Sequence, residues 1–140
     1  MMRLDPYLNF NGNTEEAFLF YKSVFGGSFT SFIRFTEMPG SEKMDEDDRR
    51  KLMHVALPIG DNNVLMATDA LSSMNQQLKT GDNFSINITL DSESDTRRIF
   101  EGLSEGGDVI MPLKKEMWSD LFGLCRDKFG IQWMFNYYKK

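Results

Sequence analysis

The chain has 140 residues, of which 41% are apolar and 13% aromatic, and its formal net charge is −5 at pH 7. This length and composition predict a globular protein with one domain, or with two half-domains that share a core. The acidic balance argues against a nucleic-acid partner, and no apolar run reaches the length of a membrane span or a signal peptide, so we expect a cytoplasmic protein without a membrane partner.

The first predicted elements are a strand, a helix and a second strand. Apolar residues alternate with polar ones from Leu4 to Phe10, a period of two that is typical of a strand with one buried face. A helix is predicted over Thr14–Gly27, where Thr14 offers an N-terminal capping oxygen and two glycines end the element. Residues 29–35 are rich in Phe, Ile and Thr and predict the second strand. The apolar stripe of the helix consists of Phe18, Leu19, Phe20 and Val24.

A charged stretch precedes the next two strands. Residues 38–50 are dense in charge and almost free of apolar side chains, which favours a solvated loop over the alternative of a short exposed helix. Alternation resumes at residues 53–57, a turn follows at Gly60–Asn63, and residues 64–68 form the last strand of this half. The first half therefore has the element order βαβββ.

The second half repeats this order. Ser94–Gly107 has the same pattern as Thr14–Gly27 eighty residues later, and it ends in the same pair of glycines. Pairing Val64 with Ile131 reduces the offset to 67, which makes the loop of the second half thirteen residues shorter. Strands are predicted at residues 84–90, 108–112, 118–126 and 131–137, with a short loop at 113–117.

The predicted fold class is α+β, with two βαβββ modules that form a cupped mixed sheet. Module 1 covers residues 1–69, module 2 covers residues 82–140, and the polar segment 70–81 links them in a single domain of residues 1–140. One helix cannot cover both faces of a four-stranded sheet, so the uncovered faces are expected to form the cup.

The sheet face opposite the helices is the predicted ligand pocket. Strand alternation places on it Tyr7, Asn9, Ser85, Asn87 and Thr89. The offset of 67 adds Leu65, Ala67 and Asp69 opposite Gln132, Met134 and Asn136. A partly polar lining suits a small polar molecule. The alternative is that these side chains face water or another subunit.

Three segments resemble a known family. The helix motif of Glu15–Gly27, the run His54–Asp69 and the run Asp127–Asn136 are similar to the PhnB-like branch of the vicinal oxygen chelate superfamily, which includes glyoxalases and bleomycin-resistance proteins. The resemblance spans nearly the whole chain and implies paired βαβββ modules and a homodimer. Members are often labelled demethylubiquinone methyltransferase-like, although no glycine-rich methyl-donor loop follows a strand in this sequence.

The resemblance also implies a divalent metal, held by four side chains on the first and last strands of each module. The matching positions here offer Tyr7 or Asn9, Ala67 or Asp69, Ser85 or Asn87, and Met134 or Asn136. Only Asp69 is an anionic ligand among them, and none is a histidine, whereas transition metals require imidazoles or several carboxylates. We therefore predict no metal and no other cofactor.

The remaining candidates each have two interpretations. His54, the single histidine, is a candidate acid or base, or a hydrogen-bonded part of the scaffold. Asp69 can orient His54 or bind a cationic group, or it can cap a turn. Trp118 suits a pocket wall, whereas Trp133 is expected in the core.

Two other side chains carry reactive groups. Arg126 can pair with an anionic ligand or with a surface carboxylate. Cys125 is the single cysteine, which excludes an internal disulfide, and no His or Lys at useful spacing activates it as a nucleophile.

The sequence favours a metal-free protein that binds a small molecule. The alternative is a metal-dependent lyase, isomerase or dioxygenase that acts on a small oxygenated substrate around His54 and Asp69, and the sequence leaves the presence of catalysis open. The residues predicted to bind the ligand are Tyr7, Asn9, His54, Asp69, Asn87, Trp118, Gln132 and Asn136.

Overall fold

The computed structural model describes residues 1–140, which fold as two compact units, Met1–Lys79 and Thr80–Lys140. In unit 1, strand β1 is followed by helix α1, strand β2, a short helix α2 and the strands β3 and β4. Their bounds are β1 Tyr7–Phe10, α1 Thr14–Phe25, β2 Ser31–Arg34, α2 Glu46–Arg49, β3 Leu52–Ile59 and β4 Asn63–Asp69. Single 3-10 turns lie at Phe35–Glu37, Ser41–Lys43 and Ser72–Met74.

Unit 2 repeats this arrangement without the excursion between its second and third strands. Its elements are β5 Ile86–Leu90, α3 Glu93–Ser104, β6 Asp108–Glu116, β7 Ser119–Arg126 and β8 Gln132–Tyr137. The two sheets have the strand orders β1-β4-β3-β2 and β5-β8-β7-β6, and in each the first and last strands of the unit pair in parallel. The predicted α+β fold with two βαβββ modules is confirmed. None of the helices is both long and apolar enough to cross a membrane.

The edge strand β6 differs from its prediction. The sequence indicated a strand that ends at Pro112 and a loop at 113–117, but β6 continues to Glu116. Its pairing with β7 shifts register three times along this length. Because proline has no N–H to donate, an irregular edge strand is the position in a sheet that tolerates Pro112.

The buried face of helix α1 overlaps the predicted stripe at Phe18 but not at Leu19. Ala17, Phe18 and Tyr21 are fully buried, whereas Leu19 is 53% exposed. In α3 the buried residues are Thr96, Ile99, Phe100 and Leu103, and in α1 they are Thr14, Ala17, Phe18 and Tyr21. The two sets match at an offset of 82 residues, so the predicted offset of 80 was wrong for the helices. Unit 2 has two more residues between the end of its first strand and the first buried residue of its helix, Thr96, which matches Thr14.

The charged stretch 38–50 is not wholly solvated. It contains a 3-10 turn and the four-residue helix α2, and the Asp48 side chain within it is buried. Asp48 accepts hydrogen bonds from the Ser73 hydroxyl and from Lys51 Nζ. The prediction of a solvated loop was therefore wrong at this position, because Asp48 connects the stretch to the segment that follows β4.

Candidate functional site

The register of the parallel strands decides which side chains share the face opposite each helix. Tyr7 pairs with Met66 and Asn9 with Thr68, while Phe10 pairs with Asp69. Directly paired residues project to the same face of a sheet. Asp69 therefore lies with Phe10 on the helix-covered face, and the prediction that Leu65, Ala67 and Asp69 line the open face was wrong. All three are buried.

In unit 2 the orientation of the last strand was predicted correctly. Asn87 pairs with Met134 and Thr89 with Asn136, so these side chains share the open face. Since Asn87 matches Tyr7, Met134 matches Met66, which gives an offset of 68 for the last strands in place of 67. A shift of one residue moves every side chain of a strand to the other face. The predicted offset of 67, which is one residue too small, therefore assigned the side chains of β4 to the wrong face and left those of β8 on the correct one.

The Asp69 carboxylate holds together the start of α1 and the start of β3. Its Oδ1 accepts hydrogen bonds from the backbone N–H of Thr14 at 3.0 Å and from the Thr14 hydroxyl at 2.6 Å. Its Oδ2 accepts from the N–H of Leu52 at 2.8 Å. The capping oxygen of α1 thus comes from Asp69, whereas the sequence predicted Thr14 in this role. In α3 the cap is Ser92, whose hydroxyl accepts from Asp95 N–H.

His54 and Tyr7 form a hydrogen-bonded pair on the open face of unit 1. The Tyr7 Oη atom lies 3.1 Å from His54 Nδ1, and the two rings stack with centroids 5.8 Å apart. Burial raises the pKa of the Tyr7 phenol, so the phenol keeps its proton at neutral pH. We assign the phenol as the donor, because a neutral imidazole nitrogen is a stronger acceptor than a phenol oxygen. Because Nδ1 accepts, His54 carries its proton on Nε2 in the neutral imidazole.

A cavity of about 640 Å³ opens beside this pair and lies wholly within unit 1. Its sheet wall is formed by Tyr7, Asn9 and Thr68, and Phe35 and Met53 contribute apolar surface. The remaining wall is formed by Asp69 at the end of β4 and by residues 70 and 74–78 of the segment that follows. Of this lining, the sequence predicted Tyr7, Asn9 and Asp69 as ligand-binding residues. Residues 70 and 74–78 were missed because the polar composition of 70–81 indicated a linker.

The wall after β4 is fixed to the rest of unit 1 by polar contacts. The Ser73 hydroxyl donates to Asp48, and the Leu71 N–H donates to Gln76 Oε1 at 2.8 Å. Two hydrogen bonds hold the pKa of the Asp48 carboxyl below its ordinary value of 3.8; the bond from Ser73 has the larger effect and the bond from Lys51 the smaller. These contacts order a segment that has no sheet partner.

The open face of unit 2 carries a chain of amides. Asn136 Nδ2 donates to Asn87 Oδ1 at 2.7 Å, and Asn87 Nδ2 donates to Thr89 Oγ1 at 2.9 Å. The Asn136 side-chain oxygen is buried and accepts no hydrogen bond from any protein group. Buried acceptors rarely lack a partner, so this oxygen is a candidate for contact with a donor on a ligand or with water.

Among the other candidates of unit 2, Trp118 contacts Phe122, which pairs with Asn136, whereas Gln132 and Trp133 make other contacts. Gln132 lies at the start of β8, where its amide is fully used in hydrogen bonds. Trp118 is 56% exposed in the turn before β7 and packs edge-on against Phe122. Trp133 is buried and donates to Asp127 Oδ2 at 2.9 Å, as expected of a core residue. Burial raises the pKa of the Cys125 thiol, which does not suit a nucleophile.

The divalent metal of the superfamily does not fit this donor set. The open-face positions on the first and last strands are Tyr7, Asn9, Met66 and Thr68 in unit 1, and Asn87, Thr89, Met134 and Asn136 in unit 2. None is a carboxylate or an imidazole. No three His, Cys, Asp or Glu side chains are grouped so that they could hold a metal ion. Amide, hydroxyl and thioether groups alone are poor ligands for a transition metal.

Known proteins resemble this chain over its full length. A sequence model of the 3-demethylubiquinone-9 3-methyltransferase family matches residues 2–135. Protein PA1353 from Pseudomonas aeruginosa is 34% identical, with each chain covered completely and a TM-score of 0.87. The PhnB protein from Bacillus cereus is 25% identical, with 98% of this chain and 100% of that chain covered and a TM-score of 0.77.

A further relative, protein YjdN of Escherichia coli K12, is 28% identical over 99% of this chain and 97% of its own length. A glyoxalase-related enzyme from Fulvimarina pelagi, 13% identical over 99% of this chain and 89% of its own, shares the fold with a TM-score of 0.60. The chain therefore belongs to the 3-demethylubiquinone-9 3-methyltransferase family, and the PhnB protein is described under the same name.

Proposed function

We propose that this protein binds a small, uncharged molecule in the unit 1 cavity and that it does so without a metal. The observation that carries the proposal is the cavity itself, which at about 640 Å³ has the size of ordinary ligand sites. It combines apolar walls with a few polar groups on rigid strands, the arrangement that fixes the orientation of a ligand.

The charge of the walls selects a neutral ligand. Asp69 is the only charged residue of the lining, and both of its oxygens already accept hydrogen bonds within the protein. An ionic ligand would therefore lose its hydration without gaining a counter-charge, which is costly. The Asn9 amide and the Tyr7 hydroxyl can instead bind a neutral polar group.

The apolar part of the lining favours a flat ligand. Phe35 supplies an aromatic surface, and Met53 and Met74 supply flexible thioethers that adapt to the shape of a ring. His54 is not part of the lining and acts through Tyr7, whose hydroxyl it holds in place. This assigns His54 a positioning role and gives it no step in a reaction.

The test uses a matched pair of probes, naphthamide and naphthoate, which differ in charge but not in shape. Ligand-observed NMR on the full chain is expected to detect naphthamide binding, with naphthoate weaker by about tenfold. Thr68→Phe, which fills the cavity, is expected to abolish the signal, whereas Thr30→Phe at an exposed site outside the lining leaves it unchanged. Equal binding by both variants, or a preference for naphthoate, would overturn the proposal.

Metal analysis of protein purified without chelators tests the second part of the proposal, that binding requires no metal ion. We expect less than stoichiometric zinc, manganese, nickel or iron, and unchanged naphthamide binding after treatment with a chelator. A stoichiometric ion, or binding that depends on one, would instead support the metal-dependent enzyme. The homodimer implied by the family resemblance stays a prediction, which sedimentation velocity can check.

A further inference from the structure

A second cavity lies wholly within unit 2, beside the turn between β7 and β8, whereas Asn136 lies near the other end of β8. Its volume is about 450 Å³, and it is lined by Thr80, Gly81, Asp82, Arg126 and Gly130. These residues come from the start of unit 2 and from the hairpin. The neutral-ligand site of unit 1 shares none of them.

Arg126 is the cationic group of this cavity, and it has no counter-ion in the protein. It is half-buried at the end of β7, and no carboxylate oxygen lies within 4.0 Å of its guanidinium. The other arginines of unit 2, Arg97 and Arg98, each pair with a carboxylate on their own helix. A guanidinium stays charged at every accessible pH, so Arg126 presents a permanent positive charge to the cavity.

The orientation of this guanidinium is fixed by Gln132. Arg126 Nη2 donates to Gln132 Oε1 at 2.5 Å. The Gln132 amide nitrogen in turn donates to the carbonyl oxygens of Asp82 and Phe84 and to Ser85 Oγ, at 3.4, 3.1 and 3.2 Å. Gln132 is only 9% exposed, so Arg126 is held by a buried side chain anchored to the cavity wall. A group that is already oriented loses little entropy when it binds.

The backbone around Arg126 leaves room for a ligand. Gly81 and Gly130 have no side chains, and a Cβ at Gly130 would meet no atom within 4 Å. The N–H groups of Thr80, Gly81 and Asp82 donate to no carbonyl of the protein. A ligand atom can therefore approach the guanidinium closely and find further donors nearby.

We propose that this cavity binds a carboxylate-bearing small molecule, with Arg126 as the anchor and Gln132 as the positioning residue. A guanidinium matches a planar carboxylate through two parallel hydrogen bonds. The negative charge of Asp82 in the same wall opposes a dianion such as phosphate and so favours a monoanion. Of the two roles predicted for Arg126, ligand pairing therefore remains, since its guanidinium forms no ion pair with a surface carboxylate.

The test follows the amide signals of Gly81 and Gly130 in the full-length, isotopically labelled protein. Benzoate is expected to shift them in a saturable manner, whereas benzamide and inorganic phosphate at the same ionic strength shift them at least about tenfold more weakly. Arg126→Gln is expected to lower benzoate affinity by about tenfold or more, and Arg126→Lys to lower it less. Arg97→Gln removes the same charge from the surface of unit 2 and serves as the matched control.

Asp82→Asn separates two kinds of ligand. Removing the opposing charge is expected to tighten benzoate binding several-fold if the site takes a monoanion. A zwitterion site would give a different result: the parent chain would not respond to benzoate, and Asp82→Asn would bind glycine betaine more weakly than the parent chain does. That result would overturn the proposal. Benzoate binding that is equal in Arg126→Gln and Arg97→Gln would overturn it as well.

Discussion

Asp69 and Thr14 are joined by two hydrogen bonds, from the Thr14 N–H at 3.0 Å and from the Thr14 hydroxyl at 2.6 Å, both to Asp69 Oδ1. Both side chains are buried. The pair connects the last residue of β4 to the first residue of α1, so the carboxylate that the sequence offered as a ligand is instead a cap. A negative charge at a helix N-terminus also interacts favourably with the helix dipole.

Substitution of Asp69 is expected to destabilise unit 1. Asp69→Ala leaves three donors on Thr14 and Leu52 without their acceptor, and we expect it to lower the free energy of unfolding by about 3 kcal/mol or more. Asp69→Asn keeps one acceptor and is expected to cost about 2 kcal/mol. Urea unfolding of each variant measures the change. Asp61→Asn, at an exposed turn, is the control, and equal stability of Asp69→Ala and this control would contradict the assignment.

The stability contributed by Asp48 is expected to depend on pH. Its pKa is lowered in the folded protein, first by the Ser73 hydroxyl and then by Lys51, from an ordinary value of 3.8. A carboxyl with a lowered pKa stabilises the folded state above the unfolded pKa, and this contribution is lost as the pH falls through the folded pKa. The stability difference between the parent chain and Asp48→Asn should therefore be largest near neutrality and shrink below about pH 3.8.

Hydrogen exchange gives a second measure of Asp48. The amides of Met74 and Asn75 are protected by bonds to Leu71 and Ser72 in the cavity wall. In Asp48→Asn these two amides are expected to exchange faster, because the wall has lost its contact with Ser73. Asp45→Asn, at an exposed site three residues earlier, should leave them unchanged; a similar acceleration in both variants would argue against the contact.

Removal of the Tyr7 hydroxyl is expected to change the tautomer of His54. As the single histidine, His54 gives one set of imidazole signals in nitrogen NMR. In mildly alkaline buffer the parent chain should show the proton on Nε2, because Tyr7 donates to Nδ1. Tyr7→Phe should give a mixture of tautomers, and Tyr138→Phe should not. Observation of the Nδ1–H form in the parent chain would refute the proposed direction of the hydrogen bond.

Gly107 is expected to tolerate no side chain. A Cβ at this position would lie 2.1 Å from the carbonyl oxygen of Arg126 and 2.8 Å from the carbonyl carbon of Asp127, both backbone atoms that cannot move independently. We expect Gly107→Ala to lower the free energy of unfolding by about 3 kcal/mol or more. Gly81→Ala, whose Cβ would meet only Asn83 Oδ1 at 3.9 Å, should have almost no effect. Thermal unfolding that is equal for the two variants would contradict this packing.

The sequence by itself determined the element order and the repeat, because alternation, helical spacing and paired glycines are local signals. Tyr7, Asn9, Asn87 and Asn136 were placed on the correct face for the same reason. The burial of Trp133 was likewise evident from its alternation with Met134. These properties depend on residues that are near each other along the chain.

Only the tertiary structure decided at which sequence offsets the residues of the two halves correspond. It also decided which polar groups have a hydrogen-bond or ion-pair partner. The helices match at an offset of 82 and the last strands at 68, because hairpins and strand-to-helix connections of different length fit the same topology. Whether Asp69 is free or capping, and whether Arg126 has a counter-ion, depends on atoms far away in the sequence. Strand register and hydrogen-bond partners are set by packing between distant segments, and packing leaves no local signature in the sequence.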